Sequence, residues 1–417
     1  MRTARKNLRL TQAQLGGPDV TASYISMLEH DRVRPSLATL RVLAERLREP
    51  VASLLDAPPP PAEQARAIIQ RGESLLRQHR FTDAHEVFTA GASAARESGD
   101  TRLQIRVELG VGQALAGLRQ FDLAEGYLIQ GRRMAESTSD VELTAAAANA
   151  LGFLAFRCRR FAQAREIFQS ALDLLSASGA RDGETRGKLL ANLGRVYVEL
   201  GLPVQAMQCL HESASALRDA ADPVQRALLL FNLGVAAERQ HAFTASHAYF
   251  DQAEALLKVH ENVRLLGMVK RSLGLLHLEE GRLADAEREL VESRHLAQES
   301  HDDEGMAQTL VELARLRART GAVEAARRDA AEAEAIARRI HDDAEAARAA
   351  AADAEALRAA GHLDLAIVRY AHAIEAFELL GMAADLSSAC RDLGYLRLAR
   401  GEYDAAAQHF ARAFDLL

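Results

Sequence analysis

A period of forty residues runs through most of this chain. A small residue, Gly or Ala, returns every forty residues, apart from one interval of forty-two. The nine markers are Gly72, Gly112, Gly152, Gly194, Gly234, Gly274, Ala314, Ala354 and Gly394. Periods of this length are typical of repeat proteins, in which each unit buries its apolar face against its neighbours. Most of the chain is therefore predicted to form a stack of nine repeats.

Each repeat has the pattern of two helices joined by a short turn. An apolar or aromatic residue follows each marker by nine positions, except at Pro203, and Ala or Ser follows it by twelve. Four positions later, several repeats carry an aromatic residue, namely Phe88, Phe168, Phe250, Tyr370 and Phe410. Small residues let paired helices approach closely, and the large side chain fills the seam between them. Because Ala, Leu, Arg and Glu dominate and there is no Trp, the composition favours an all-α fold.

An Asp or Asn lies twelve residues before seven of the markers, where the first helix of a repeat is expected to begin. Such side chains cap helix N-termini by accepting backbone N–H bonds. The predicted caps are Asp100, Asp140, Asp182, Asp222, Asn262, Asp302 and Asp342. The two "HDD" runs, at 301–303 and 341–343, coincide with caps, so they are interpreted as capping rather than metal binding. No metal site is predicted, since His241 and His247, six residues apart, fall on different helical faces.

This pattern resembles the tetratricopeptide (TPR) repeat over residues 62–417, although the large aromatic residue near the start of that motif is missing. The resemblance implies a right-handed α-solenoid of about nine helical hairpins with a concave surface that binds a peptide or a partner protein. The positions implied to face inward are Arg106, Gln113, Asn149, Phe153, Arg157, Lys188, Asn192, Arg195, Phe231, Asn232, Arg239, Arg271 and Arg315. This basic, amide-rich set suits a peptide backbone and a carboxylate. Alternatively, Asn192 and Asn232 hold neighbouring helices together and the arginines pair with glutamates on adjacent helical turns.

The first 57 residues differ in character from the repeats. They carry nine Arg/Lys and six Asp/Glu, a net charge of +3. Because the whole chain has a net charge of −7, the remaining residues carry −10. A run of four prolines at 58–61 separates the two parts and predicts a stiff linker, because Pro cannot continue a helix. The predicted domains are therefore 1–57 and 62–417. Only the front domain has a charge suited to a polyanion.

The front domain is predicted to contain five short helices. Thr11 and Gln14 have the spacing of a capping box, and Thr21 caps the helix "ASYISMLEH", with Ile25 and Leu28 facing inward. Two short helices across a tight turn, supported by three others, form a helix-turn-helix module whose second helix enters the major groove of DNA.

The run "LTQAQL…VTASYISMLEHDRVRPSLATLRVLAERL" resembles the Cro/repressor (XRE) family of DNA-binding domains. The resemblance implies a phosphate contact from Gln12 and grips on the DNA backbone from Arg32 and Arg34. It also implies that base edges and sugars are contacted by Thr21, Ala22, Ser23, Ser26 and Met27. The link "LGGPD" departs from the family by being one residue shorter, and it puts Gly16 where Ala normally packs.

An XRE-type DNA-binding domain, called the reader below (residues 1–57), joined to TPR-like repeats resembles the peptide-responsive quorum-sensing regulators called RRNPP. The resemblance implies a transcriptional regulator that binds double-stranded DNA, takes a short peptide or other small ligand on its concave face and acts as a homodimer. The C-terminal "FARAFDLL", with Phe410, Phe414, Leu416 and Leu417, is a candidate dimer face. The alternative is a scaffold that recruits a protein partner to DNA without a small ligand.

Several function classes are not supported by any motif in the sequence. No stretch is long and apolar enough for a membrane span, so a cytoplasmic address is expected. The three cysteines, Cys158, Cys209 and Cys390, lack the spacing of a disulfide framework or zinc site and are interpreted as packing residues. With no nucleophile beside a base and no phosphate-binding loop, neither enzymatic activity nor a cofactor is predicted.

Overall fold

The computed structural model describes residues 1–8, 10–30, 32–33, 35–54, 59–179, 183–217 and 222–416. Regular structure in these ranges is entirely helical and comprises 23 helices, so the predicted all-α class is confirmed. The chain divides into two compact units, Met1–Cys158 and Arg159–Leu417, which are described separately. Within the described residues, no helix combines the length and hydropathy needed to cross a bilayer.

The first unit begins with five short helices, α1 Arg2–Asn7, α2 Gln12–Gly16, α3 Ala22–Glu29, α4 Leu37–Leu47 and α5 Val51–Leu54. The core beneath them consists of Leu15, Ile25, Leu28, Leu43 and Leu47. The predicted capping box is present, because the Thr11 side chain accepts a bond from the Gln14 N–H and the Gln14 side chain accepts one from the Thr11 N–H. The five-helix prediction is therefore confirmed.

Longer helices complete the first unit: α6 Pro61–Arg77, α7 Phe81–Glu97, α8 Thr101–Gly117, α9 Phe121–Ser137 and α10 Val141–Arg157. Pro61, assigned to the linker from sequence, is the first residue of α6, a position that tolerates the missing N–H of Pro. Pro58 lies outside the described residues. Helices α6 and α7 pack as a pair, as do α8 and α9, and the first helices α6, α8 and α10 contact one another in order.

The second unit contains thirteen helices: α11 Phe161–Ser178, α12 Gly183–Glu199, α13 Pro203–Ala216, α14 Pro223–Glu238, α15 Phe243–Val259, α16 Val263–Glu279, α17 Leu283–Glu299, α18 Asp303–Arg319, α19 Val323–Arg339, α20 Asp343–Ala359, α21 Leu363–Leu379, α22 Ala383–Ala399 and α23 Tyr403–Asp415. From α12 onward they pack as successive hairpins. The first helices of these hairpins, α12 to α22, also contact the next first helix along the chain, which makes them a continuous layer.

The markers set the phase of every repeat as predicted. Each second helix, from α7 to α23, begins nine residues after its marker. Six of the seven predicted caps accept backbone N–H bonds, while Asp182 lies outside the described residues. At the "HDD" runs, His301 and His341 take left-handed turn conformations and the following Asp is the cap, which accounts for those runs structurally.

The close approach at the markers has a direct steric cause. A Cβ added to Gly72 would lie 2.4 Å from the Phe88 ring, and one added to Gly234 would lie 2.5 Å from Phe250. Both rings are fully buried. A side chain at either marker would therefore displace the residue that fills the seam between the paired helices.

Candidate DNA-binding face and ligand cavity

Helix α3 exposes the residues that the sequence assigns to DNA. The Thr21 side chain accepts a bond from the Tyr24 N–H and so sets the start of the helix. Buried Ile25 and Leu28 fix which face turns inward. Four of the five assigned residues are exposed, and Ser26 is half-buried: Thr21, Ala22, Ser23, Ser26 and Met27. Their small side chains leave room for close approach of a DNA groove.

A buried ionic cluster joins α1, α2 and α3. The Arg5 guanidinium donates to both carboxylate oxygens of Glu29, at 2.6 and 2.9 Å, and to the Leu10 carbonyl at 2.8 Å. The Gln12 amide donates to the same carboxylate at 2.9 Å. The Arg5 hydrogen bond lowers the pKa of Glu29, whose side chain has no exposed surface. Gln12, the predicted phosphate contact, therefore keeps one amide N–H for another partner.

A second arginine holds the shortened link between α2 and α3. Arg46 on α4 donates to the carbonyls of Leu15 and Gly16 and forms an ion pair with Asp19. These carbonyls end α2, where helical partners are missing. Gly17 follows with a φ of +55°, and a Cβ there would lie 2.8 Å from the Arg46 guanidinium. The sequence reading did not identify Arg46, yet it is the residue that spans the atypical turn.

The loop after α3 carries the predicted backbone grips. Arg32 is exposed, and its N–H donates to the Met27 carbonyl at 2.9 Å, which ties the loop to the recognition helix. Arg34 lies outside the described residues. The assignment of the DNA-contacting residues stays a prediction.

Three of the residues predicted to bind the ligand lie on α10 of the first unit. Asn149, Phe153 and Arg157 lie four residues apart on α10, hence on one face, and all are half-buried. Phe153 stacks on Phe156 with ring centroids 6.4 Å apart. Arg106, another predicted inward position, forms an ion pair with Glu73 of α6 at 2.6 Å, which links two helices rather than adjacent turns of one.

Seven more residues predicted to bind the ligand lie in the second unit, in varied surroundings. Asn192, Arg195, Asn232 and Arg271 are half-buried, whereas Lys188 and Arg239 are exposed and Phe231 is partly buried. Lys188 pairs with Glu184 one turn away. The Phe231 ring lies 5.8 Å from that of Phe250 and belongs to the apolar core, so packing accounts for it. Burial lowers the pKa of Arg271, while Glu345 and Asp302 oppose that shift.

Three consecutive first helices line a cavity of about 330 Å³ in the second unit. Its walls come from α14, α16 and α18: Glu238, Arg239, Leu275, Leu278, Glu279, Glu312, Arg315 and Arg319. All eight stand at positions that the TPR resemblance implies to face inward, two before a marker or one, four or five after it. Arg239 and Arg315 were predicted. Glu238, Glu279 and Glu312 were not in the predicted set, although they stand at the same offsets from their markers.

The charges around this cavity are only partly balanced by each other. Arg315 pairs with Glu312 at 3.2 Å. Among the described residues, neither Arg239 nor Arg319 forms an ion pair, and Glu238 has no hydrogen-bond partner. Burial, followed by repulsion from Glu279, raises the pKa of Glu238 to about 7. The cavity thus offers two unpaired cations and a pair of repelling carboxylates.

A second cavity, of about 370 Å³, lies between α11 and α12. Its lining consists of Arg165, Glu166, Gln169, Ser170 and Tyr197. None of these residues occupies a predicted ligand position. Four of its five lining residues lie on α11, the second helix of a repeat. The cavity of α14, α16 and α18 is instead lined by the first helices of three repeats.

Comparisons with known families agree with both parts of the sequence reading. Residues 1–54 match the helix-turn-helix family model, and residues 143–219 match the tetratricopeptide repeat model. Among curated proteins, no sequence relative matches the chain. The protein therefore carries an XRE-type helix-turn-helix DNA-binding domain followed by tetratricopeptide repeats.

Solved structures with a similar fold include quorum-sensing proteins of low sequence identity. A Rap protein in complex with competence and sporulation factor is 13% identical, with a TM-score of 0.67 over 85% of this chain and 97% of that one. The Rap conjugation gene regulator of plasmid pLS20, in complex with the Phr* peptide, is 15% identical (TM-score 0.59; 84% and 94%). The apo form of the quorum sensor NprR from B. thuringiensis is 12% identical (TM-score 0.56; 85% and 99%). At these identities the likeness concerns the fold.

Proposed function

We propose that this protein is a cytoplasmic, homodimeric transcriptional regulator whose repeats bind a short peptide and thereby control the binding of its helix-turn-helix domain to promoters. The observation that supports this most is the cavity of α14, α16 and α18, whose lining falls on the inward-facing positions of three consecutive repeats. The same chain carries an XRE-type reader, so a site for a ligand and a site for DNA occur together.

The charges of the cavity favour a peptide over an apolar ligand. Arg239 and Arg319 can receive a carboxylate, while Glu238 and Glu279 can receive an ammonium or guanidinium group. A short peptide carries both kinds of charge and a backbone that suits amide side chains. Leu275 and Leu278 supply apolar contact between them. We propose binding rather than catalysis, because Ser, Cys and His are missing from the lining of this cavity.

Dimerisation is proposed to occur through the last repeat. On α22 and α23, four large apolar side chains are exposed: Tyr395, Leu398, Tyr403 and Phe414. Phe414 is 76% exposed. Phe410, assigned to this face from sequence, instead packs beside Tyr395 in the seam, with ring centroids 5.0 Å apart, and Leu417 lies outside the described residues. Light scattering should show a dimer for the wild type and a monomer for Phe414→Asp.

The ligand response can be tested with the full chain. Its affinity for fragments of its own genome would be measured across a salt series, with and without a synthetic library of short peptides. Arg32→Ala should weaken DNA binding and lower its salt dependence, whereas Arg71→Ala, an exposed arginine of α6, should not. If both variants lose affinity equally, the assignment of the reader is wrong.

Cavity variants separate the ligand site from the reader. Arg239→Glu should abolish the peptide response and leave DNA binding intact, while Arg226→Glu, an exposed position of the same helix outside the cavity, should respond like the wild type. An unchanged response in Arg239→Glu would refute the pocket. A stoichiometric protein partner that co-purifies, with no peptide response at all, would support the recruiting scaffold instead.

A further inference from the structure

Two histidines and a glutamate from neighbouring repeats converge outside the cavity. His247 lies on α15, His277 lies on the last turn of α16, and Glu280 directly follows α16. The His247 Nε2 atom lies 3.1 Å from Glu280 Oε2, and the His277 Nδ1 atom lies 3.4 Å from the same oxygen. All three ligand atoms lie within 4.8 Å of one another. Sequence spacing could not reveal the group, because His247 and His277 belong to different repeats.

The geometry points to a metal site: we propose that His247, His277 and Glu280 bind a divalent transition-metal ion, for which Zn²⁺ is the best fit. Two imidazoles and one carboxylate form a recurrent three-residue ligand set for zinc, with a fourth position for water. Ligand atoms around a tetrahedral zinc ion, each about 2.1 Å from the metal, are separated by roughly 3.4 Å. The two separations from Glu280 Oε2 match this spacing, and only the two rings need to draw closer.

The present hydrogen bonds show how an ion would enter. A neutral imidazole that donates to Glu280 carries its proton on the nitrogen facing that oxygen. A shift of each proton to the other ring nitrogen turns two lone pairs toward the point where the protons were. The metal then replaces two N–H···O bonds, and no side chain must leave the group.

The surroundings leave the group available for a ligand. His277 is buried, whereas His247 and Glu280 are each about one-fifth to one-quarter exposed, which gives an ion a path from solvent. Arg282 is the one competing cation described beside Glu280, at 3.4 Å. It already pairs more closely with Asp285, at 2.7 Å, so an ion at Glu280 does not leave its charge unpaired.

A bound ion would connect the site to the rest of the repeat layer. It would fasten α15 to the end of α16, from which Leu278 and Glu279 line the cavity. The proposal does not depend on a peptide ligand or on DNA binding, and it can hold or fail independently of the function proposed above.

The test uses full-length protein, freed of any affinity tag and stripped with a chelator, then titrated calorimetrically with ZnCl₂. We expect saturation at one Zn²⁺ per chain, and a rise in melting temperature because the folded state binds the ion preferentially. Co²⁺ should give the absorption of a low-coordinate N/O site. His260→Gln, an exposed histidine directly after α15, should bind like the wild type.

The variants decide the assignment. Glu280→Gln preserves the shape of the side chain but removes the anionic ligand, and His247→Gln removes one imidazole. Each variant alone should abolish zinc binding and the zinc-dependent rise in melting temperature. Both side chains are partly exposed, and helicity equal to that of the wild type, measured by circular dichroism without metal, would verify that the variants fold. Failure of the wild type to saturate with Zn²⁺, or full binding by both variants, would overturn the proposal.

Discussion

The five-helix domain and the repeats hold their helices together in different ways. In the repeats, a small marker and a large seam residue meet at a fixed spacing, as in Gly234 with Phe250. In the front domain, ionic groups link helices that are distant in sequence: Arg5 reaches Glu29, and Arg46 reaches the end of α2. The repeats therefore share a steric contact that recurs along the chain, besides ion pairs between helices such as Lys270 with Glu289 at 2.9 Å, whereas the described part of the front domain has no such recurring contact and is linked by pairs that occur once.

The largest expected effect tests the seam of a repeat. Phe250→Ala should cost about 3 to 5 kcal/mol, because it removes a fully buried ring and leaves a cavity between α14 and α15. Amide hydrogen exchange in these two helices is the appropriate measurement, since repeat arrays open locally. Val259→Ala, at a 77% exposed position of α15, is the control and should change little. Equal protection in both variants would contradict the seam model.

Breaking the ionic cluster of the front domain should have the next largest effect. Arg5→Met leaves the Glu29 carboxylate buried with the Gln12 amide as its remaining donor, at a cost of about 2 to 4 kcal/mol. Hydrogen exchange in α1 to α3 should rise and DNA affinity should fall. Lys6→Met, at an exposed position of α1, serves as the matched control. The double variant Arg5→Met/Glu29→Met should recover part of the loss, and no recovery would mean that the charge of Glu29 is not the cause.

Two buried glutamates, one in the front domain and one in the repeats, should make the stability of these two regions depend on pH in opposite directions. The pKa of Glu29 is lowered by Arg5, so its contribution to stability is present at neutral pH and is lost as the pH falls. The pKa of Glu238 is raised from 4.5 to about 7, so the folded state binds its proton more tightly than the unfolded state. Stability from Glu238 therefore declines between about pH 4.5 and pH 7. The first glutamate forms an ion pair with Arg5, whereas at the second the effect of burial on the pKa outweighs the attraction of Arg239.

Glu238→Gln should remove that decline. The variant should be more stable than the wild type by about 2 to 3 kcal/mol at pH 8 and nearly equal to it at pH 4, because Gln cannot ionise. Hydrogen exchange in α14 at the two pH values measures the difference. Glu261→Gln, an exposed turn position after α15, should follow the wild type at both. A variant with the wild-type pH slope would show that another group titrates there.

The repeats could be predicted closely from sequence because their information is local and recurs. Marker spacing gave the start of every second helix, and an Asp or Asn gave the start of most first helices. The spacing from the markers also identifies carboxylates of the cavity as inward-facing, because Glu238 and Glu279 stand four and five residues after their markers. The predicted set did not include them, so the mixed charge of the cavity was not predicted.

Contacts that occur once could not be predicted. Arg5 and Glu29 are 24 residues apart, and Arg46 reaches back 30 and 31 residues, with no period to suggest either partner. Spacing from the markers can also mislead, as Phe231 shows: it stands at a position predicted to face the ligand, but its ring packs against Phe250. Position within a helix predicts which way a residue points, but competition between core and surface decides how much of it is accessible.

The smallest expected effect examines the shortened turn of the front domain. Gly16→Ala should stabilise the domain by about 0.5 to 1 kcal/mol, because Gly is a poor helix residue and the new Cβ would lie 3.5 Å from Ile25, an ordinary contact. Gly17→Ala is the matched opposite, because its φ of +55° and the Arg46 guanidinium 2.8 Å away both penalise a side chain. Hydrogen exchange in α2 should therefore slow in the first variant and quicken in the second. If Gly16→Ala destabilised α2, then α2 and α3 would have to pack more closely than in this structure. The shorter link, rather than the residue at position 16, would then set the angle between α2 and α3.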